Sequence, residues 1–396
     1  MRICLDTSTL RVRHAGIAVY TLELTNALLG LVGPEDSLVS FDGMGGFLPI
    51  DAEWPARKVV ENEARARDYA SAGMTPSNVL ERVMRAGTWG RRVARFAKEM
   101  RFALGASHYD LCHAVVTIPP GPTKKPVIPL VYDVSMQRFP ETHPKERVQA
   151  FERFWPEISR APFINTISDF SRREIVEVLG YSYERIVVTY PGVASFYFEN
   201  DQANDEALLK KFDLMDRRLI LLVGTQEPRK NISVALSAFA ALPASTRDNS
   251  LLVVAGGSGW GNLVAPPGVE PLIRNGAIRF TGYVSRAELR ALYRRASVLV
   301  FPSIYEGFGI PAAEALACGT PVAVSIGNSL EEVVGPHGTL IASGDIDAWR
   351  ESMLAAILSP MPTLEERTAR RKWAHNFDWK MTAEQTLAMY RKVLLA

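Results

Sequence analysis

In the second half of the chain, short apolar runs alternate with segments of helical pattern, and no other feature of the sequence constrains the fold as strongly. The runs have the length of buried strands: Leu219–Val223, Leu251–Ala255, Ile278–Thr281, Val298–Phe301 and Pro321–Val324. A run that is apolar throughout indicates a strand buried on both faces, which is typical of a parallel sheet between two layers of helices. We therefore predict an α/β fold for this half.

The first half of the chain has the same alternation in a less regular form. The predicted strands are Arg2–Leu5, Leu38–Phe41, Asp110–His113, Val127–Tyr132, Phe163–Thr166 and Ile186–Thr189. Helices are expected after Gly16 and between Ser168, an N-cap candidate, and Gly180. Because a chain of 396 residues exceeds what one hydrophobic core usually organises, we expect two domains of about 200 residues each.

Charge and cysteine content exclude some classes of protein. A formal net charge of +2 gives no bulk attraction to nucleic acid. Cys4, Cys112 and Cys318 are widely spaced and form no metal-ligand pattern, which favours buried thiols in a reducing cytoplasm. The first residues indicate a strand rather than a signal peptide, and no apolar run approaches the roughly 18 residues that span a bilayer. We therefore expect a cytoplasmic protein with no nucleic-acid partner.

The stretch EGFGIPAAEALACGTP, residues 306–321, follows a predicted strand and contains its own helix signals. Pro311 suits the first turn of a helix, and Gly319 suits the residue after its end. The loop before this helix would bring backbone amides to the positive helix end, and its glycines would let the backbone approach an anion such as a diphosphate. Glu306 and Glu314 would then reach toward a sugar and a ribose. A corner with two solvated glutamates is the structural alternative.

Other polar residues follow predicted strands, where ligands of open α/β sheets bind. Arg229 and Lys230 come shortly after the strand that ends at Gly224, where a diphosphate would need positive charge. In the first half, His113 ends one strand and Asp133 follows another. On the residues alone, Arg229 and Lys230 fit a solvated helix start equally well, and a single histidine after a strand more often has a structural role.

Two motifs of the second half resemble those of a known family. The segment EGFGIPAAEALACGTPV is similar to the hallmark of the retaining glycosyltransferases of family 4, which have the GT-B fold. GTQEPRKN, residues 224–231, resembles the GTxEPRKN signature of a bacterial branch of that family. The resemblance implies an α/β fold of two Rossmann-like, doubly wound domains facing across a cleft. They would be an acceptor-binding domain at 1–192 and a nucleotide-sugar-binding domain at 193–377, with a C-terminal helix at 378–396 that crosses back to the first domain.

The same resemblance assigns roles to individual residues. It implies catalytic roles for Glu306, Lys230, Arg229, His113 and Asp133. It implies donor binding by Gly16, Gly224, Tyr283, Val284, Gly307, Phe308, Gly309, Ile310 and Glu314. In the family, the first glutamate contacts the donor sugar and the second the ribose. The glycine-rich loop and the two cations hold the diphosphate, and the turn at Tyr283 and Val284 lies near the base.

The implied function is the transfer of a hexose from a nucleotide sugar to a glycan with retention of configuration. The acceptor would be lipid-linked, in bacterial surface polysaccharide assembly, and GDP-mannose leads as the donor because the GTxEPRKN branch is rich in mannosyltransferases. Alternatives are a UDP- or dTDP-sugar donor, an epimerase or phosphorylase of the same fold, and an inactive scaffold that binds sugar nucleotides. No cofactor and no metal are expected, because Asp345 and Asp347 fit a helix start better than a metal site.

Residues 78–104 form a basic segment with apolar residues at helical spacing. Its cations include Arg91, Arg92 and Arg95. A basic amphipathic helix with Trp and Phe can lie on anionic lipid, which would place the protein at the inner face of the cell membrane. A core-packed helix with a solvated basic face explains the same pattern, and both interpretations stay open. Gly87 and Gly90 are expected to interrupt the helix.

Overall fold

The computed structural model describes most of the chain, namely residues 1–11, 16–43, 46–61, 88–115, 120–200, 202–212, 214, 217–261 and 265–395. The chain divides into two compact units. The first unit consists of Met1–Pro140, Pro144–Gly192 and Asp378–Ala396, and the second of Glu141–His143 and Val193–Phe377. Each unit is built on its own largely parallel sheet.

Strands of the first unit follow the predicted runs, with one addition. They are β1 (Arg2–Asp6), β2 (Ser37–Phe41), β3 (Phe47–Pro49), β4 (Leu111–Ala114), β5 (Val127–Pro129), β6 (Ile164–Thr166) and β7 (Ile186–Val188). The sheet order is β3-β2-β1-β4-β5, and its pairs are parallel except that of β2 with the added edge strand β3. Strands β6 and β7 form a parallel pair, and a bridge between Leu130 and Asn165 joins it to the end of β5.

Helices of the first unit connect these strands. They are α1 (Gly16–Leu29), α2 (Thr88–Leu104), α3 (Ser135–Arg138), α4 (Lys145–Ile158) and α5 (Asp169–Leu179), with a further helical stretch at residues 54–61. Helix α5 has the predicted ends: Ser168 accepts a hydrogen bond from the Ser171 amide at 2.9 Å, and Gly180 takes the left-handed conformation. Local capping chemistry therefore fixes where this helix starts and stops.

Helix α2 lies inside the predicted basic segment. It begins at Thr88 and runs through Gly90, so the prediction that Gly90 interrupts the helix is wrong. The cost of about 1 kcal/mol for a helical glycine is small against the packing of the rest of the helix. Residues 78–87, which include Gly87, lie outside the described part of the chain.

The described turns of α2 have two different faces. Phe102 is fully buried in a cluster with Phe41 and Tyr109. Phe96 and Leu104, in contrast, are 65% and 77% exposed. Because these residues lie on opposite sides of the helix, α2 packs on the sheet and also presents an apolar stripe outward.

The second unit contains a six-stranded parallel sheet, which confirms the predicted architecture. Its strands are β8 (Arg218–Val223), β9 (Ser250–Ala255), β10 (Ile278–Gly282), β11 (Val298–Phe301), β12 (Val322–Ser325) and β13 (Gly338–Ile341). Their order is β10-β9-β8-β11-β12-β13, and all these pairs are parallel. This is the doubly wound order, in which the topology reverses between the first and fourth strands, here β8 and β11.

Helices of the second unit alternate with its strands. They are α6 (Gln202–Leu209), α7 (Ile232–Ala240), α8 (Ala244–Asp248), α9 (Val269–Arg274), α10 (Arg286–Arg295), α11 (Ile310–Ala317), α12 (Leu330–Val334), α13 (Ile346–Leu358) and α14 (Leu364–Ala374). Ser285 and Glu288 form a capping box at the start of α10. Asp345 caps α13 by accepting a hydrogen bond from the Ala348 amide at 3.0 Å, the structural role predicted for it.

The last helix, α15 (Trp379–Leu395), belongs to the first unit. It packs against α1, where the rings of Tyr20 and Trp379 meet edge to face with centroids 5.4 Å apart. A Cβ atom at Gly192 would lie 2.2 Å from the backbone nitrogen of Trp379, so the close approach of the two backbone segments requires glycine there. The hydroxyl of Tyr390 lies 2.7 Å from Nδ1 of His113 and ties the helix to β4.

Candidate active site

A cluster of charged side chains lies at the carboxyl ends of β8 and β11 in the second unit. Nζ of Lys230 lies 2.6 Å from Oε1 of Glu306, and Nη1 of Arg229 lies 3.1 Å from Oε2 of the same carboxylate. Nε of Arg229 is also 3.3 Å from Oε2 of Glu227. The structure thus brings together Glu306, Lys230 and Arg229, which the sequence analysis had predicted to share a site.

Backbone geometry sets the two cations in place. A 3₁₀ turn at Pro228–Lys230 ends in Asn231, which has the left-handed conformation with φ 54°. The side chain of Asn231 donates hydrogen bonds to the Pro302 and Ser343 carbonyls at 3.2 and 2.7 Å. These bonds fix the turn against the loops that follow β11 and β13, and asparagine tolerates the positive φ better than most residues.

The site holds its carboxylate in the ionised form. Burial alone would raise the pKa of Glu306, but the charges of Lys230 and Arg229 outweigh it and lower this pKa to about 2. Burial lowers the pKa of Lys230, while the charge of Glu306 opposes that effect. At neutral pH the cluster therefore contains a carboxylate whose two oxygens each face a different cation.

The loop between β11 and α11 leads directly from this cluster into a helix. Gly309 is the N-cap of α11 with φ 99°, and a Cβ atom there would lie 2.2 Å from Cδ2 of Leu330. Both the positive φ and the short distance to Leu330 therefore require glycine at position 309. The ring of Phe308 is buried edge to face against Phe377, with centroids 5.3 Å apart, so Phe308 anchors the loop from inside the unit.

Glu314 lies within α11 and is also largely withdrawn from solvent. Its side chain is 8% exposed, and its Oε2 accepts a hydrogen bond from the Tyr293 hydroxyl at 3.0 Å. The turn before α10 carries Tyr283, which is 42% exposed, and Val284, which is half-buried. The exposed ring of Tyr283 is compatible with the predicted contact with a base.

Two predicted residues of the first unit have local roles in the structure. Gly16 is the first residue of α1, and a Cβ atom there would meet nothing within 4 Å. Oδ1 of Asp133 accepts hydrogen bonds from the Ser135 amide at 2.9 Å and the Ser135 hydroxyl at 2.7 Å. Asp133 is half-buried, and these bonds hold its side chain at the start of α3. Their roles toward a donor stay predictions.

His113, which was predicted to be catalytic, is buried within the first unit. Its side chain is fully buried in β4, and its Nδ1 lies 2.7 Å from the hydroxyl of Tyr390. Burial lowers the pKa of His113 to about 3, so the ring is neutral at physiological pH. In this position His113 ties β4 to α15, and its predicted role toward a donor stays a prediction.

Sequence reasoning missed several residues that shape this site. Glu227 contacts Arg229, and the Ser329 hydroxyl donates a hydrogen bond to the Glu306 carbonyl at 2.8 Å. Tyr293 contacts Glu314 from a different helix. Glu227 lies inside the GTQEPRKN motif and could have been singled out there, but Tyr293 follows no motif, and only the tertiary fold reveals its contact.

Comparison with known proteins places the chain in a family. The family model for "Glycosyl transferases group 1" matches residues 204–376. O-antigen chain mannosyltransferase B of Escherichia coli is 39% identical over 262 residues, which are 66% of this chain and 68% of that relative. The chain belongs to the group 1 glycosyl transferases. A D-inositol 3-phosphate glycosyltransferase of Mycolicibacterium paratuberculosis is 31% identical over 58% of this chain, and the match spans only 52% of that relative.

Solved structures support the fold of this group 1 glycosyl transferase over its whole length. Anabaena Alr3699/HepE, solved with UDP and glucose, has a TM-score of 0.67 at 16% identity and covers 99% of this chain. WaaG, described as a glycosyltransferase of lipopolysaccharide biosynthesis, has a TM-score of 0.60 at 17% identity and covers 97%. At such identities the likeness concerns the fold alone, and it confirms the predicted GT-B architecture of two Rossmann-like domains.

The described part of the chain has neither a membrane-spanning helix nor a cluster of metal ligands. No described helix is both long and apolar enough to cross a membrane. Within the same part of the chain, no group of three or more His, Cys, Asp or Glu side chains is arranged to hold a metal ion.

Proposed function

We propose that this group 1 glycosyl transferase moves a mannose residue from GDP-mannose to a glycan, with retention of configuration. The observation that carries the proposal is the convergence of Lys230 and Arg229 on Glu306 at the carboxyl ends of β8 and β11. The similarity to O-antigen chain mannosyltransferase B supports mannose as the sugar and a surface glycan as the acceptor.

The charged cluster suits a leaving diphosphate. Two cations at 12% and 16% side-chain exposure lie partly out of water, where their attraction to a phosphate is weakly screened. In the proposed reaction the bond between the sugar C1 and the diphosphate oxygen breaks, and its electron pair leaves with the diphosphate. The acceptor oxygen bonds to C1 on the same face, and a phosphate oxygen takes the acceptor proton. Lys230 and Arg229 stabilise the charge that develops on the diphosphate.

The proposed donor complex requires Glu306 to exchange partners. In the structure its carboxylate accepts hydrogen bonds from Arg229 and Lys230, the two cations that the diphosphate would need. When the diphosphate takes these cations, the carboxylate becomes available to accept hydrogen bonds from sugar hydroxyls. Glu314 would accept hydrogen bonds from the ribose, and the turn at Tyr283 would face the base.

The decisive experiment measures donor use by purified protein. GDP-mannose, UDP-glucose and dTDP-rhamnose are each incubated with the protein and a lipid-linked glycan acceptor, and nucleoside diphosphate release and product are followed. We expect transfer from GDP-mannose and, by NMR of the product, the anomeric configuration of the donor. Transfer from another donor would overturn the mannose proposal, an inverted product would overturn retention, and a converted free nucleotide sugar would favour the epimerase alternative. If every donor bound but none reacted, the inactive scaffold would be the correct alternative.

Catalysis is proposed to need no divalent metal, because Lys230 and Arg229 already supply positive charge for the diphosphate. Turnover is expected to persist in excess EDTA at a rate within about twofold of that without chelator. The control is Asp345→Ala, which removes the cap of α13 and should lower stability by about 1 kcal/mol without creating a metal requirement. Loss of activity in EDTA, restored by Mn²⁺ and mimicked by Asp345→Ala, would contradict the proposal.

We also propose that α2 contacts an anionic membrane, where a lipid-linked acceptor would be found. Phe96, Met100 and Leu104 recur every fourth residue along α2 and are 65%, 42% and 77% exposed. Such a stripe with basic neighbours matches an interfacial helix. Arg95 has partners within the first unit: it forms an ion pair with Glu99, and its guanidinium lies 4.5 Å from the Phe154 ring centroid.

Liposome sedimentation tests this contact. Phe96→Ser combined with Met100→Ser should weaken binding to phosphatidylglycerol-containing liposomes about tenfold or more, since each buried apolar side chain contributes about 1.5–3 kcal/mol. Arg91→Ser combined with Arg92→Ser should weaken it further at low salt, at about 1 kcal/mol per cation. Leu358→Ser combined with Leu364→Ser removes two leucines of the second unit that are more exposed than Phe96 and Met100, and should change nothing. Equal sedimentation of all these proteins would favour a solvated helix.

A further inference from the structure

The carboxylate of Glu314 is held by a tyrosine hydroxyl that no motif predicts. Its Oε2 accepts a hydrogen bond from Tyr293 at 3.0 Å, and the ring of Tyr197 packs against that of Tyr293. Glu314 is 8% exposed, Tyr197 3% and Tyr293 fully buried. A carboxylate so far withdrawn from water needs donors inside the protein, and the Tyr293 hydroxyl provides one.

Further contacts hold the backbone and the rings of Tyr293 and Tyr197 in place. The backbone carbonyl of Tyr293 accepts a hydrogen bond from the Thr320 hydroxyl at 2.6 Å, and the rings of Tyr293 and Tyr197 meet edge to face with centroids 6.1 Å apart. The Cys318 thiol lies 3.5 Å from the carbonyl of Tyr197. Tyr293 therefore has little freedom to move, and neither does the carboxylate that it contacts.

Helix α10 connects this contact to the proposed base-binding turn. The N-cap Ser285 follows Val284 directly and forms the capping box with Glu288. Tyr293 lies about two turns further along the helix. Burial, with the nearby charge of Glu314, raises the pKa of Tyr293 well above its ordinary value, so the hydroxyl remains a donor at every pH at which the protein would work.

We infer that Tyr293 is a positioning residue that orients Glu314 to recognise the ribose of the donor, and that it makes the site selective for ribonucleotides over deoxyribonucleotides. This inference rests on the proposed function, because it takes Glu314 as the ribose contact. A carboxylate already held in one orientation loses less conformational freedom when it accepts hydrogen bonds from the ribose hydroxyls. A site that depends on those bonds discriminates against an analogue that lacks one of them.

The test compares nucleoside diphosphates that differ only in the ribose. GDP and UDP are first compared by calorimetry. Affinities are then measured for whichever of the two binds more tightly and for its 2′-deoxy and 3′-deoxy analogues. We expect the wild type to prefer the ribonucleotide over at least one deoxy analogue by about tenfold or more, the strength of a hydrogen bond to a charged group. Tyr293→Phe should lose most of that preference: ribonucleotide affinity falls about fivefold or more, while affinity for the deoxy analogue changes less than about twofold.

Kinetics and a matched control separate positioning from simple structural support. Tyr293→Phe should raise KM for the nucleotide sugar and leave kcat within about twofold, because the ribose contact is equal in ground and transition states. Tyr109→Phe removes a fully buried hydroxyl that contacts Thr123 at 3.1 Å in the first unit, and it should leave both affinities unchanged. If Tyr293→Phe does not fold, Thr320→Val loosens Tyr293 instead, by removing the hydroxyl that donates to its carbonyl, and should lower the ribonucleotide preference in the same direction.

The possible results distinguish this inference from the proposed function. If Tyr293→Phe kept the ribonucleotide preference, or weakened all analogues equally, the positioning role would be wrong while the glycosyl transfer could stand. If the wild type bound ribonucleotide and both deoxy analogues equally, Glu314 would not recognise the ribose and the inference would fall. If the wild type bound neither GDP nor UDP, the proposed function would fail and the inference with it.

Discussion

Glu306→Gln should reduce turnover about 10²- to 10³-fold while nucleoside diphosphate affinity stays the same or rises. Two effects of the same carboxylate explain these opposite directions. In the structure Glu306 forms ion pairs with Lys230 and Arg229, at 2.6 and 3.1 Å, and so competes with the diphosphate for these cations. In the proposed reaction it contacts the donor sugar, and a neutral amide replaces that charged contact poorly. Calorimetry with GDP and steady-state kinetics measure the two effects separately.

The matched control for this variant is Glu174→Gln. Glu174 also pairs with an arginine, since both its oxygens lie 2.8 Å from Arg138, but it belongs to the first unit and to no predicted site. It should lower the melting temperature and leave kcat unchanged. Glu306→Gln will also lose stability, because breaking a partly buried ion pair leaves uncompensated charge. Folded Glu306→Gln protein with wild-type kcat would contradict the role proposed for this residue.

Lys230→Met should decrease both turnover and diphosphate affinity. The Lys230 ammonium lies 5.0 Å from the Phe301 ring centroid, and methionine keeps a similar apolar stem there while removing the charge. Loss of a charge-assisted hydrogen bond to phosphate costs about 1.5–3 kcal/mol of binding, which is roughly ten- to a hundredfold in affinity. Turnover should fall further, about 10³-fold, because the charge on the diphosphate increases as the bond to C1 breaks.

Lys392→Met is the control for the lysine substitution. Nζ of Lys392 lies 4.8 Å from the Phe163 ring centroid, so it repeats the cation–aromatic contact in the first unit, and its replacement should leave kinetics unchanged. The two site variants also control each other: Glu306→Gln preserves or improves GDP binding, whereas Lys230→Met weakens it. If both variants changed GDP affinity in the same direction, Glu306 and the diphosphate would not share these cations.

The strands of the second unit could be predicted from sequence almost to the residue. Val298–Phe301 was predicted with its observed bounds, and β8 differs from the predicted run by one residue. These strands are buried on both faces, so their apolar character is continuous and their ends are abrupt. The starts of α5, α10 and α13 follow equally local signals, because an N-cap depends on residues only three positions apart.

In the first unit, weaker local signals led to errors. Strand β3 has only three residues, Phe47–Pro49, and it follows no periodic pattern. Gly90 was predicted to interrupt the helix, yet it lies inside α2. Packing of the helix contributes more stability than one helical glycine removes. The contact of His113 with Tyr390 could not be predicted either, because the two residues are 277 positions apart and no local rule points to that pair.

The sequence by itself determined the fold class, the strands and caps of the second unit, and which glutamates and cations belong to the candidate site. It could do so because apolar runs, capping residues and two motifs are local patterns. Only the tertiary structure decided how those residues meet: Lys230 and Glu306 are 76 positions apart and Tyr293 and Glu314 are 21 apart on different helices. The ion pair and the buried hydroxyl contact depend on distance and burial, which arise only when the sheet brings the ends of separate strands and helices together.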